Sequence, residues 1–301
     1  MKKIKLTPIV SALGIIASAV VRFFVITQHT EISNNPLKRS TGFLFHGDEL
    51  LWNGLYYGII IIAAIAAIIA AVVDSKGEAE ELKGSGLGKG RTILIGLLMM
   101  AAAVFAAYDG RAEMSAFSPT AFLIIIDFAF AVLMAVISFV TLSNKRFTPV
   151  IGYLYSLVGA FCICRGIYCF MSRMAIATVP EYVIQSLSLV TMAVYFVMLA
   201  RFLSGNSGKH TRKAMGFWGV SAVSLTFSSA LGAIAAKFFG ADDIKPCIVF
   251  SANDAENYRQ ARAGADAYNL VVTPTVELAL ALIVLVTLII AFTKPSSSID
   301  N

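Results

Sequence analysis

Residues 119–142 read PTAFLIIIDFAFAVLMAVISFVTL, an apolar stretch interrupted in its first half by one carboxylate, Asp127. A helix needs about 20 apolar residues to span the hydrocarbon core of a bilayer. Seven further stretches have similar length and composition, at 8–26, 52–73, 92–108, 149–170, 182–203, 214–237 and 270–292. The sequence therefore predicts an all-α fold, a polytopic transmembrane bundle of eight helices that forms one integral membrane domain over residues 1–301.

The composition agrees with this prediction. Apolar residues make up 58% of the chain and charged residues 14%, whereas soluble domains carry about 25% charged residues. The formal charge of +6 comes from cations that concentrate in the short loops on the side of the amino terminus, such as Lys3, Lys76 and Arg146. This positive-inside pattern predicts that both termini are cytoplasmic and that the chain has no nucleic-acid partner.

The first span has a second interpretation. Ala17-Ser18-Ala19 resembles the cleavage site of a signal peptide. The apolar run continues through Phe23 to Ile26, which favours an uncleaved first helix. The short basic amino terminus fits a bacterial cytoplasmic (inner) membrane.

Cysteine and histidine patterns provide no metal or catalytic motif. Cys162, Cys164 and Cys169 lie in the fifth span, and Cys247 follows the seventh. A single bridge between Cys169 and Cys247 is conceivable, but spacing alone does not establish it. We therefore expect no metal, no cofactor and no catalytic residue of a recognisable kind.

Similar helix entries point to an internal duplication. Thr7-Pro8 opens the first span and Thr148-Pro149 opens the fifth, while Asp127 and Glu277 occupy the fourth and eighth. Halves 1–145 and 146–301 would then form a parallel 4+4 repeat. Chance is the equal alternative, because proline and basic residues are common at helix starts.

Four ionisable residues lie inside the predicted spans: Arg22, Asp127, Arg165 and Glu277. Each costs at least about 2.5 kcal/mol to insert into the membrane, so each requires a compensating interaction or a functional role. Counting along the helices places all four in the same half of the bilayer. We expect Arg22 to reach the headgroups, with an inward role as the alternative, and Arg165 to point into the bundle beside small residues. The carboxylates would then be binding groups. The structural alternative is that Arg165 pairs with Asp127 or Glu277 to fix helix register, which leaves the other acid without an assured partner.

Polar stripes along two helices add candidates for an interior path. Gln185 lies on such a stripe in the sixth span, and Ser224 and Ser228 lie on one in the seventh. Helix packing is the commoner role of such stripes. Ala63, Ala67 and Ala71 are interpreted only as packing, and Tyr56 as part of an aromatic belt.

The leading functional hypothesis is a secondary transporter or permease for a small solute. Arg165 and Arg22 would suit an anionic solute. Glu277 or Asp127 would bind a proton or coupling cation. The alternative is a non-catalytic membrane subunit or sensor that binds a partner protein. An integral-membrane enzyme has the least support, because no catalytic pair can be placed.

Overall fold

The computed structural model describes residues 5–33, 47–74, 89–114, 121–143, 149–173, 180–204, 210–239, 247–249, 270–272 and 275–293. Within these ranges the chain forms eight α-helices and two short strands. The helices are α1 (Leu6–Ser33), α2 (Gly47–Asp74), α3 (Lys89–Met114), α4 (Ala121–Ser143), α5 (Pro149–Arg173), α6 (Pro180–Leu203), α7 (Thr211–Phe239) and α8 (Thr275–Thr293). The strands are β1 (Cys247–Val249) and β2 (Leu270–Val272), which pair in parallel.

The all-α, multi-pass prediction is confirmed. Seven of the eight described helices, all except α5, are long and apolar enough to cross a membrane. The chain is therefore a multi-pass membrane protein in contact with lipid. α5 is 25 residues long and packs against α4 and α6. That α5 itself crosses the membrane remains a prediction.

Two predicted span boundaries were wrong. The eighth span was expected to begin at residue 270, but 270–272 is β2 and the helix begins at Thr275. The sequence Leu-Val-Val suits an extended strand because branched side chains pack well on a pleated surface. The third span was expected to end at 108, but α3 continues to Met114. This extra turn and a half carries two buried carboxylates, Asp109 and Glu113.

Glycines on α5 allow a close approach to α6. A Cβ added at Gly159 would lie 2.9 Å from the carbonyl oxygen of Ala193, and one at Gly152 would lie 3.0 Å from that of Ala200. Small residues let helix backbones approach closely in a membrane, where dispersion contacts drive helix association. The packing of α5 on α6 holds the face that carries Arg165 toward the interior, as predicted.

Alanines and glycines also mediate contacts among α1, α2 and α7. A Cβ at Gly216 of α7 would lie 3.2 Å from the carbonyl oxygen of Ala67 and 3.3 Å from Ala71 Cβ. A Cβ at Gly14 of α1 would lie 3.0 Å from Ala63 Cβ. The packing role predicted for these three alanines of α2 is confirmed.

Asp74 joins the end of α2 to the start of α1. Its carboxylate accepts hydrogen bonds from the backbone N–H groups of Leu6 and Thr7, at 2.9 and 2.8 Å, and from Thr7 Oγ1 at 2.7 Å. Lys5 Nζ donates to the Asp74 carbonyl oxygen at 3.0 Å. The carboxylate thus caps the first helix from a neighbouring helix and complements its positive end.

The packing does not show the 4+4 repeat. α1 packs extensively against α7, whereas α5, the counterpart of α1 in the second half, has α4 and α6 as its main neighbours. The duplication and the orientation of the termini remain predictions. The side chains of Cys169 and Cys247 lie outside the described part of the chain, and so does the disulfide prediction.

Candidate functional site

Arg165 lies at the centre of a buried ionic cluster. Its Nε donates to Glu277 Oε1 at 3.3 Å, its Nη2 donates to Asp109 Oδ2 at 2.7 Å, and its Nη1 donates to Asp127 Oδ1. Each guanidinium nitrogen therefore reaches a carboxylate from a different helix. The Arg165 side chain is 7% exposed, and the three acidic side chains are 1–2% exposed.

Gln185 of α6 completes the group. Its Nε2 donates to Glu277 Oε1 at 2.8 Å, so that this oxygen accepts from both Gln185 and Arg165. We define the Arg165 cluster as Asp109, Asp127, Arg165, Gln185 and Glu277. It ties together α3, α4, α5, α6 and α8. Bonds of this kind, with at least one charged partner, are about twice as strong as bonds between neutral groups.

The cluster contains more negative than positive charge. Three carboxylates contact one guanidinium, a formal excess of two negative charges when all are ionised. A buried charge is stable only when it is paired, and an ion pair loses hydration that its mutual attraction must replace. An excess of negative charge in this buried cluster therefore favours the binding of positive charge.

Several acceptor atoms of the cluster receive no hydrogen bond from the described residues. They are Glu277 Oε2, Asp109 Oδ1 and Gln185 Oε1, and all three are buried. Leaving a buried acceptor unsatisfied costs about 1–3 kcal/mol, and native proteins keep few such atoms. Within the same described residues no group of three or more His, Cys, Asp or Glu side chains could hold a metal ion. The acids surround a guanidinium instead of converging on a common point.

The structure brings together four of the seven predicted site residues: Arg165, Asp127, Glu277 and Gln185. The structural alternative predicted from the sequence provides Arg165 as a partner for one of the two predicted acids and no assured partner for the other. This was wrong, because Arg165 reaches both and a third acid as well.

Asp109 was missed by the sequence reasoning. The predicted third span ends at residue 108, just before Asp109, since charge usually marks the end of a span. The signal that could have identified Asp109 is its register, because it continues a buried face with a spacing of three and four residues. That face comprises Ile95, Met99, Ala102, Ala106, Asp109 and Glu113.

Close packing of α3 on α4 sets the distance between their acids. A Cβ added at Gly110 would lie 3.2 Å from the Phe128 ring and 3.3 Å from Asp127 Cβ. Glycine at this position therefore lets the two helices approach where Asp109 and Asp127 turn toward Arg165. Like-charged carboxylates on neighbouring helices need either a cation between them or a proton on one of them.

Arg22 lies elsewhere in the bundle, and the expectation that it reaches the headgroups was wrong. Its side chain is fully buried, with Cζ 5.8 Å from the centre of the Tyr56 ring, within cation–π range. Gly232 of α7 makes room for it, because a Cβ there would lie 2.7 Å from Arg22 Cγ. The aliphatic stem packs between α1 and α7.

Ser228 and Ser224 belong to this second region and not to the Arg165 cluster. The hydroxyl of Tyr56 lies 2.7 Å from Ser228 Oγ, so Tyr56 is an interior residue and not part of an aromatic belt. Ser224 Oγ lies 3.0 Å from the position of a Cβ on Gly14. Both serines make interhelical contacts, which agrees with packing as the commoner role of such stripes.

Comparisons with known proteins leave the site to be interpreted from its own geometry. No protein-family model, no curated protein and no solved structure matches this chain.

Proposed function

We propose that this multi-pass membrane protein is a secondary transporter of a small solute, coupled to protons through the Arg165 cluster. The observation that carries the proposal is the contact of three buried carboxylates from α3, α4 and α8 with one guanidinium. Ionisable groups inside a membrane domain are commonly proton relays or solute sites.

Proton binding to the cluster would change how the helices are held. Each ionised carboxylate adds a charge-assisted bond between Arg165 and its own helix, and protonation weakens that bond. The contact of Glu277 with Arg165, at 3.3 Å, is longer than that of Asp109, at 2.7 Å. Protonation of Glu277 would weaken the contact of α8 with α5 and leave α3 and α4 attached to α5. A two-state shift of this kind is what alternating access requires.

The test is transport by the purified full-length chain in liposomes that contain a pH-sensitive dye. A panel comprising an amine, an organic acid, an amino acid and a sugar is added outside, and solute-dependent proton movement is recorded. We expect one class to move protons with the wild-type protein and none to do so with Glu277→Gln.

Thr287→Val is the matched control on the same helix. Thr287 is buried in α8 and bonds to Tyr195 and to its own backbone, away from the cluster. This variant should retain coupled flux. Equal flux by wild type and Glu277→Gln would refute the coupling role.

The alternative is a non-catalytic membrane subunit or sensor that binds a partner protein. One observation favours it: every guanidinium nitrogen of Arg165 already has a carboxylate partner, as in a purely structural tie. Absence of flux for the whole panel, together with co-purification of a second protein in fixed stoichiometry, would support this reading over transport.

The topology and the membrane belong to the same proposal. The bias of Lys and Arg toward the amino-terminal side supports cytoplasmic termini, and the basic amino terminus supports a bacterial cytoplasmic membrane. Protease accessibility of tags placed at each terminus, in right-side-out and inverted vesicles, tests the orientation.

A further inference from the structure

We propose that the Arg165 cluster receives a cation that carries N–H donors, such as a protonated primary amine. This inference rests on the proposed transport function and specifies its substrate class. It replaces the anionic solute that the arginines alone had indicated.

The sign of the charge follows from the contacts of Arg165. All three nitrogens of its guanidinium donate to carboxylates. The guanidinium is therefore already engaged and is a poor binding site for an anion. The three acids leave the cluster with an excess of negative charge, which repels an anion and attracts a cation.

The need for N–H donors follows from the unsatisfied acceptors. Glu277 Oε2, Asp109 Oδ1 and Gln185 Oε1 are buried oxygens on α8, α3 and α6 that receive no hydrogen bond from the described residues. Gln185 shows that the unsatisfied acceptors are not confined to the acids, because it is uncharged, 5% exposed, and its Oε1 receives no hydrogen bond from the described residues. With Nε2 on Glu277, its carbonyl oxygen remains available to a donor.

A primary ammonium carries one positive charge and N–H donors that can satisfy these acceptors one at a time, without several oxygens around one point. A bare metal ion fits less well, because metal ions of the calcium and magnesium type need several oxygens around one point. The described residues contain no such grouping, since the guanidinium separates the acids.

Protons and the amine would compete for the same carboxylates. Binding of the ammonium to Glu277 and Asp109 requires those groups to be ionised, so that uptake of the cation displaces protons. Affinity for the amine should therefore rise with pH. The ionisable and polar groups of the packed helices that bear on this equilibrium are Asp109 and Glu113 of α3, Asp127 of α4, Cys162 and Arg165 of α5, Gln185 of α6 and Glu277 of α8.

The test measures binding to the purified full-length protein in micelles, by equilibrium dialysis at two pH values. Methylammonium is compared with tetramethylammonium, which has the same charge and no N–H donor, with potassium and with acetate. We expect methylammonium to bind at least ten times more tightly than the other three, and more tightly at the higher pH.

Gln185→Leu removes the uncharged acceptor and should weaken methylammonium binding about tenfold, since an unpartnered donor in a buried site is costly. Thr191→Val is the control on the same helix, because Thr191 bonds only to the backbone of its own turn among the described contacts. A thermal unfolding transition for each variant separates loss of binding from loss of folding.

Each result has a distinct meaning. Equal binding of tetramethylammonium would overturn the requirement for N–H donors, and preferential binding of acetate would overturn the sign of the charge. Coupled proton flux without binding of any tested cation would overturn this inference and leave the transport proposal intact. Absence of both would overturn the two together.

Discussion

Replacing Arg165 with methionine should destabilise the bundle far more than neutralising any one of the acids. Methionine occupies a volume similar to the aliphatic part of arginine but provides no charge and no donor. Three carboxylates would then share a buried site without a cation. Breaking a buried ion pair by removing one partner costs about 3–5 kcal/mol.

The magnitude can be worked from the contacts. Hydrogen bonds that involve a charged group contribute about 1.5–3 kcal/mol each, so the loss of three would exceed the cost of breaking one pair if the contributions were additive. Protons taken up by the orphaned acids limit the penalty, and we therefore expect about 3–5 kcal/mol. For a chain of this size the thermal midpoint should fall by about 5–8 °C.

The assay is thermal unfolding in detergent, followed by circular dichroism, with Glu277→Gln as the matched comparison. Glutamine keeps the shape of Glu277 and one acceptor oxygen for the bonds from Arg165 and Gln185, while it removes one of the excess negative charges. We expect its unfolding free energy to equal or exceed that of wild type, the opposite sign to Arg165→Met. A midpoint for Arg165→Met within about 2 °C of wild type would refute the reasoning.

Three further predictions concern helix packing and capping. Gly159→Ala should cost about 1–3 kcal/mol of stability, because the new Cβ would lie 2.9 Å from a backbone carbonyl of α6 and α5 must move away; an unchanged midpoint would contradict this packing. Asp74→Ala should cost about 0.5–2 kcal/mol by removing the cap of α1, and it should raise amide exchange at Leu6 and Thr7 without affecting α8. Tyr56→Phe should lower the unfolding free energy by about 1 kcal/mol, because the hydroxyl bond to Ser228 is lost. Tyr56→Leu should lower it further, because it also removes the ring that faces Arg22. Equal losses of stability in the two variants would argue against the cation–π contact.

The sequence was sufficient to predict the class of fold, because apolar length is a direct consequence of bilayer thickness. It was also sufficient to predict the inward position of Arg165, since glycines at a seven-residue spacing on α5 mark its face toward α6. The convergence of Asp127, Glu277 and Arg165 followed from the cost of burying each charge alone.

Other features required coordinates. Asp109 lies one residue beyond the predicted third span, and a boundary set by hydropathy excludes any charged residue that a helix buries near its end. Arg22 and Tyr56 sit near the ends of their spans, where headgroup contact is the usual outcome. The burial of Arg22 depends on Gly232, a residue on a helix distant in sequence.

The chain order of the cluster has a consequence for biogenesis. Asp109 and Asp127 are synthesised and inserted before Arg165 leaves the ribosome, and Glu277 follows more than a hundred residues later. Until Arg165 is inserted, the first two acids lack their cation and must be protonated or hydrated. The last helix, α8, can form its contact with Arg165 only after the arginine is in place.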